Sequence, residues 1–287
     1  MIAVFKHELR SYFHSLTAYL FCAALLIFVG IGAMLYNLQS AVANFEYVLE
    51  FVSLVLTVII PVLTMRVLAE EKKQKTDQLL YALPITPTKI ILGKYLAMLL
   101  IFLLPMCIIA FYPLIFARFG DVYLPTAYGS LLAFFVMGAA LIAIGTFISS
   151  LTENQGFAAG IAIPLLLLNY YSVTLAEYVS SSAAGSMVAI CVIWVILAAI
   201  LSHMTGNENL AWVFGGVTIF GTCCLYWFKG SLFEGLLPKV MEKLSLFDRF
   251  YDFVNGVFDI SSIVFYITVI IFFLFLSVQS LEKRRYN

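Results

Sequence analysis

From Ser11 to Phe45 the chain carries no Asp, Glu, Lys or Arg, and the same holds for seven later stretches, among them 95–117, 122–152, 154–176 and 260–281. A helix rises about 1.5 Å per residue, so some twenty residues cross a hydrocarbon core about 30 Å thick. The runs are continuously apolar, whereas a membrane β-strand alternates lipid-facing and lumen-facing positions, so they read as helices. With 63% hydrophobic and 11% charged residues, the chain is far from a soluble domain, where charged residues make up about a quarter. The expected fold class is an all-α polytopic membrane protein with about eight spans, near 16–36, 49–66, 93–117, 129–151, 155–172, 184–202, 210–228 and 261–280.

The basic residues orient these spans, because short cytoplasmic loops carry an excess of Lys and Arg. With both termini inside, the cytoplasmic segments hold Lys6, Arg10, Arg66, Lys72, Lys73, Lys75, Lys89, Lys94, Lys283, Arg284 and Arg285. The outer segments hold Arg118, Lys229, Lys239, Lys243 and Arg249. Eleven against five predicts cytoplasmic termini and an even number of spans. The loops around Glu153 and Asn207–Glu208–Asn209 contain no Lys or Arg, so segments 184–202 and 210–228 are read as either a full hairpin or a re-entrant pair.

Residues 1–15 precede the first span and are amphipathic. Ile2, Phe5, Leu9, Tyr12 and Phe13 recur at helical spacing, while Lys6, His7, Glu8, Arg10 and His14 occupy the other side. The following apolar run is too long for a signal peptide and lacks a small-x-small cleavage site. The segment is read as an interfacial helix on the cytoplasmic surface, with Phe5, Glu8, Leu9 and Arg10 as its marked residues. Near the other end, 229–260 is a second amphipathic stretch. Leu237, Val240, Met241, Leu244, Phe247, Tyr251 and Val254 form its stripe, with a break expected near Ser245. It is read as a segment resting on the outer interface, either a lid over an exit path or a plain connector.

Between the second and third spans lies the one sizeable hydrophilic island of the first two hundred residues, Arg66 to Lys94. High helix propensity runs from Arg66 to Tyr81 and Pro84 stops it; Thr86 with Pro87 then starts the next span. The spacing predicts a cytoplasmic helix over 68–83, with Leu68, Leu79, Leu80 and Leu83 on one face. Physical reasoning alone divides evenly between a docking helix and a charged loop that holds orientation.

Elsewhere the chain offers little chemistry. Gly93–Lys94 has no glycine five residues upstream and is followed by Tyr95, so no phosphate-binding loop is present. His7, His14 and His203 are far apart and fit no zinc spacing, and the five cysteines fall inside apolar runs. Glu70–Glu71 lacks the arginine and histidine motifs of an intramembrane protease. No basic block suggests nucleic acid. Neither catalytic residues nor a bound cofactor or metal is expected in this chain. Glu46 and Glu50 share a helix face. They precede an uncharged stretch, 51–65, only about 22 Å long, which makes them candidate pathway residues or, for Glu50, a helix end reaching water. Gly156 and Gly160 form a GxxxG pair, with Ala139 and Ala143 at the same spacing in the preceding span. Both pairs are read as helix packing within the chain or across a subunit interface.

Residues 5–19 read Phe-Lys-His-Glu-Leu-Arg-Ser-Tyr-Phe-His-Ser-Leu-Thr-Ala-Tyr. Leu63, Thr64, Met65, Arg66, Glu70, Glu71, Thr76, Leu79, Leu80, Pro84, Gly93 and Lys94 follow in order. On these motifs, and on a similar ending from Leu244 through Gly256 and Asp259 to Arg285, the chain resembles type 2 ABC transporter membrane subunits of the gliding-motility branch. It departs in Leu16 for a proline, Lys75 for a glycine, and Asp77–Gln78 where Thr is followed by x-Glu. The resemblance covers about 1–172 and 240–287, leaving the sixth and seventh spans as a hairpin added to a six-span plan.

The resemblance implies the permease subunit of an exporter in a bacterial cytoplasmic membrane. It would be paired with a second permease, identical or related, and with cytoplasmic ATPase subunits that bind ATP and Mg. A membrane-anchored auxiliary subunit often joins this branch. The coupling residues it implies are Arg66, Glu70, Glu71, Lys75, Thr76, Asp77, Leu79, Leu80 and Pro84. A secondary transporter, which should show inverted repeats, a membrane scaffold without an ATPase partner, and a membrane-embedded enzyme are the competing readings.

Overall fold

A computed structural model describes residues 1–76, 85–178, 182–205 and 208–286. Among the described residues the regular structure is all helical, with no strand. An amphipathic α1 (Ile2–His14) ends at Ser15, whose extended backbone separates it from α2 (Leu16–Gly32); a π-helical turn, Ala33–Gln39, prolongs α2. Then come α3 (Glu46–Thr64), the short α4 (Ala69–Gln74), α5 (Pro87–Ile109), α6 (Tyr112–Phe116), α7 (Leu124–Leu151) and α8 (Gln155–Tyr170). Thr86 sits extended in the N-cap position of α5 without a side-chain cap, and Pro87 opens the helix. There proline's fixed φ helps and its missing N–H costs nothing.

The chain continues through α9 (Ser172–Tyr178), α10 (Ala183–Thr205), α11 (Glu208–Phe228), a 3-10 turn (Gly230–Phe233), α12 (Leu236–Leu244), α13 (Leu246–Val254) and α14 (Ile260–Tyr286). Among the described residues, five helical stretches are long and apolar enough to cross a bilayer: Leu16–Gln39, Glu46–Gln74, Pro87–Phe116, Leu124–Leu151 and Ile260–Lys283. The pair Gln155–Tyr170 and Ser172–Tyr178, bent at Tyr171, is either one broken span, the sixth, or a re-entrant loop. The sixth and seventh expected segments appear as shorter apolar helices, Ala183–Ala199 and Trp212–Phe228.

Contacts divide the chain into two compact units, one of residues 1–170 with 246–285, the other of 171–245 with 286–287. The second unit therefore nearly coincides with the stretch set apart in the sequence. Within it α10 and α11 pack side by side, Trp194 lies edge-on to Phe214 with ring centroids 5.9 Å apart, and Leu237 N–H reaches Ser186 Oγ at 3.5 Å.

The first unit is centred on α3 and α7. Two glycines of α7 set its crossings: a Cβ on Gly138 would collide with the Phe102 ring of α5, and one on Gly145 with Thr64 of α3. Phe102 is the hub of a run of aromatic contacts, edge-on to Phe21 at 6.2 Å and stacked on Phe135 at 5.6 Å. Phe134 carries the run on to Phe250 of α13 at 5.7 Å.

The outer segment over 230–258 has the break expected near Ser245, but its buried face is not the single stripe drawn through it. The chain breaks at Ser245, the break resets the helical phase, and α13 buries Leu246, Phe247, Phe250, Phe253 and Val254 in the first unit while Tyr251 turns outward. Polar bonds fix it there: Ser130 Oγ donates to Phe253 O at 2.9 Å, Leu246 N–H to Asn169 Oδ1 at 3.0 Å, and Tyr266 OH to Leu246 O at 2.7 Å. Gly256, with φ +82°, turns the chain out of α13, and Asp259 caps α14.

Candidate functional site

The buried stripe of α1 is Val4, Glu8 and Tyr12, at i, i+4 and i+8. An acid on a buried stripe needs a partner. Gly93 lets α1 cross α5 closely: a Cβ there would sit 3.1 Å from Met1 O and from Val4 Cβ. The next residue, Lys94, is 1% exposed. Its Nζ donates to Glu8 Oε1, to Glu71 Oε1 at 2.7 Å and to Val67 O at 3.2 Å. An ammonium has three protons, and all three find acceptors. One lysine thus joins α1, α5 and the connector between α3 and α5.

Beside it, Arg66 Nε donates to Glu70 Oε2 at 2.7 Å and its Nη1 to Thr17 Oγ1 at 2.8 Å. The guanidinium lies 5.7 Å from the centre of the Tyr12 ring, whose hydroxyl donates to Leu63 O at 3.1 Å. Burial, reinforced by the Glu8 charge, pushes the Tyr12 phenol well above its usual range, so it remains a neutral donor. The Arg66–Glu70 pair is about one-quarter exposed and contributes at most about 1 kcal/mol; the closed Lys94 cluster is the stronger tie.

The helix α4 has no cap of its own. Ser149, near the end of α7, accepts from Leu68 N–H and Ala69 N–H, each at 3.2 Å, and donates to Met65 O at 3.0 Å. The amides at the start of a helix need such acceptors. Lys72, buried, donates to Ser150 O, which also accepts from Ser280 Oγ of α14 at 3.0 Å. A cation at a helix C-terminus meets the carbonyl end of the dipole. The connector is therefore bonded to the end of α7 as well as to α1 and α5.

The expected uninterrupted helix over 68–83 stops at Gln74. Lys75 adopts φ +56°, with Lys75 N–H on Lys72 O at 3.2 Å and Thr76 N–H on Glu71 O at 3.0 Å. This bond pair closes a helix C-terminus around a left-handed residue. The resemblance places glycine at this position, and the geometry explains why: only glycine takes that conformation without cost.

Of the sequence-marked coupling residues, Arg66, Glu70, Glu71 and Thr76 line one cleft of about 640 Å³, whose other wall is Ala3, His7 and Ser11 of α1. Lys75 is exposed, while Asp77, Leu79, Leu80 and Pro84 lie outside the described residues. Of the α1 residues, Glu8 turns inward, Phe5 and Leu9 are half-buried and Arg10 is exposed.

The remaining marked residues lie apart from the cleft. Glu46 is 1% exposed and, among the described residues, neither carboxylate oxygen has a hydrogen-bond partner. Glu50 is half-buried and hydrogen-bonds Tyr251, whose phenol it raises above the usual range first by that bond and then by its charge. Gly156 and Gly160 face outward. A Cβ on Gly160 would meet nothing within 4 Å, and one on Gly156 only Asn154 Oδ1 at 3.4 Å. Among the described residues they form no close approach within the chain, whereas Gly138 and Gly145 do.

Sequence reasoning named Lys94, Lys72, Tyr12 and Thr17 only as charges or motif positions, gave none of them a place in the site, and did not name Ser149 or Ser150. Lys94 had a signal, since an ionisable residue several positions inside an apolar helix usually faces a partner. The serines had none, because what matters is their position at the end of α7, some eighty residues from α4 in the chain.

A family model described as ABC-2 family transporter protein matches residues 2–276, including the stretch between 172 and 240 that the resemblance left uncovered. No curated protein and no solved structure matches the chain.

Proposed function

The chain belongs to the ABC-2 transporter family, and from that premise we propose that it is driven by separate cytoplasmic ATPase subunits which dock at the α4 connector and α1. Membership makes it a membrane transport component, and supports its reading as the permease subunit of an ABC transporter. The direction we infer is export, with both termini cytoplasmic and a second permease, a copy or a relative, completing the membrane domain.

The carrying observation is the bonding of the connector. Lys94 and Ser149 tie it to α1, α5 and α7, so a displacement at α4 passes to three helices as a rigid-body step rather than being lost in a loose loop. Lys73, Gln74, Lys75 and Thr76 remain exposed as the surface a partner would touch.

The test is co-purification with a candidate ABC ATPase co-expressed with this chain, together with stimulation of its ATP hydrolysis. Glu71 is a poor probe because it holds Lys94. Lys73→Glu with Lys75→Glu changes only the exposed surface, and should weaken assembly at least tenfold with thermal stability unchanged. If assembly and stimulation both survive that change and replacement of residues 73–76 by Gly-Ser, the docking reading is wrong.

A further inference from the structure

We propose that α1 and α5 form a site for an anionic phospholipid of the leaflet on which α1 lies, with an acyl chain in the groove between them and the phosphate on Lys6, Arg10 and Lys89. The groove, about 320 Å³, is lined only by apolar side chains, among them Ile2 and Phe5 of α1 and Leu96, Leu99, Leu100 and Leu103 of α5. From Leu96 to Leu103 the helix rises about 10 Å, enough for roughly half an acyl chain.

Successive residues of a helix are turned by about 100°, which divides α1 into sectors. Val4, Glu8 and Tyr12 point into the protein. Ile2, Phe5, Leu9 and Phe13 form an adjoining apolar sector. Ala3, His7 and Ser11 face the cleft. Between the apolar sector and the cleft sector run Lys6 and Arg10, four residues apart and both exposed. Long basic side chains at the border of an apolar face keep their stems on it and their charges at the headgroup level.

The third cation comes from the other wall. Lys89 is exposed, one turn before the Gly93 crossing, and shares its face of α5 with Leu96, Leu100 and Leu103 at two, three and four turns' distance. Within α1 no acid offsets Lys6 and Arg10, because its single carboxylate, Glu8, is turned inward onto Lys94. An apolar slot with a basic rim, on a helix that leads directly into the first span, fits a lipid with an anionic headgroup.

The experiment compares dioleoyl phosphatidylglycerol with dioleoyl phosphatidylcholine on the full chain in a neutral detergent. Native mass spectrometry reads bound lipid and thermal unfolding reads stabilisation. Identical acyl chains isolate the headgroup. Phosphatidylglycerol should bind at least fivefold more tightly. Lys6→Gln, Arg10→Gln and Lys89→Gln together should abolish that preference without altering unfolding in lipid-free detergent. Leu103→Trp, at an exposed groove position, should weaken both lipids while keeping the headgroup preference of whatever binding remains. Equal binding of the two lipids by the wild-type chain overturns the proposal, and so does a preference that survives the triple change. Binding untouched by Leu103→Trp and by a second filling change, Leu96→Trp, overturns the groove assignment.

Discussion

Replacing Lys94 by Met keeps length and removes the charge that holds Glu8 and Glu71. Their side chains are 10% and 21% exposed and Lys94's is 1%, so the two carboxylates are left close together with little water. Three hydrogen bonds of the ammonium are lost, and the two to carboxylates each contribute about 1.5–3 kcal/mol. The gain from burying a thioether and the residual solvation of Glu71 offset part of that. A net loss of about 3 kcal/mol follows, at the low end for breaking a buried ion pair. For a chain of this size that lowers the apparent Tm by about 6 °C. The assay is thermal unfolding in detergent read by a thiol-reactive dye, with Cys22, Cys191, Cys223 and Cys224 half-buried before unfolding. Adding Glu8→Gln and Glu71→Gln to Lys94→Met removes the stranded charges, and the triple variant should recover to within about 1 kcal/mol of wild type. The three changes share one contact and so must be strongly non-additive. A single variant within 1 °C of wild type, or a triple variant showing the sum of three separate losses, would refute the buried cluster as the tie.

Lys75→Gly should raise stability by about 0.5–1 kcal/mol, since a left-handed residue with a side chain costs about 1–2 kcal/mol and glycine's greater unfolded-state freedom returns part of it; Lys75→Ile should cost stability in the same unfolding assay. Gly145→Ala places a methyl against buried Thr64, with Cβ and Cγ2 only 2.9 and 3.1 Å away, and should cost about 1–3 kcal/mol. Gly160→Ala meets open space and should be neutral to slightly stabilising, so equal effects of the two changes would contradict the α3–α7 crossing. The Asp259 carboxyl is held below the usual range by the Ser262 hydroxyl and then the Ser261 N–H. A depressed folded value means its contribution is present above the unfolded value near 4 and is lost as pH falls through the folded one. Asp259→Asn should therefore flatten the fall in stability between about pH 5 and 3, as measured by unfolding midpoints across that range.

The membrane class was legible because apolar run length is a one-dimensional signal that the bilayer itself imposes. The cap at Lys75 was half legible: the departure from glycine was visible, but its meaning depended on where the helix ended, and propensity carried the expected helix on toward Tyr81. The phase shift at Ser245 had the opposite problem. A stripe drawn through Phe247, Tyr251 and Val254 looked continuous, yet one extended residue rotates everything after it, so Phe250 and Phe253 became core. Glu8 and Lys94 are 86 residues apart, and no local pattern joins them. The GxxxG pair shows the limit of motif spacing, since it permits a close approach without stating which neighbour, if any, arrives.

Charge placement ties the topology to the proposed coupling. The Lys and Arg residues of the island were counted as an orientation signal, which treats them as equivalent. In the folded chain they separate. Lys72 and Lys94 are buried on Ser150, Glu8 and Glu71, whereas Lys73, Lys75 and Lys89 are exposed. The inward group fixes the connector to the spans and the outward group is left for partners and headgroups. A connector held by both groups has a constraint that a mere topological signal lacks. Exchanging the signs of Lys94 and Glu71 would leave the net charge and the Lys/Arg count of the cytoplasmic side unchanged. It would also put a carboxylate at position 94 beside Glu8 and Val67 O, two acceptors that lose the Lys94 ammonium and are left to compete for the lysine now at position 71. Orientation in the membrane should survive that exchange while the connector's seating fails, which separates the two roles in one variant.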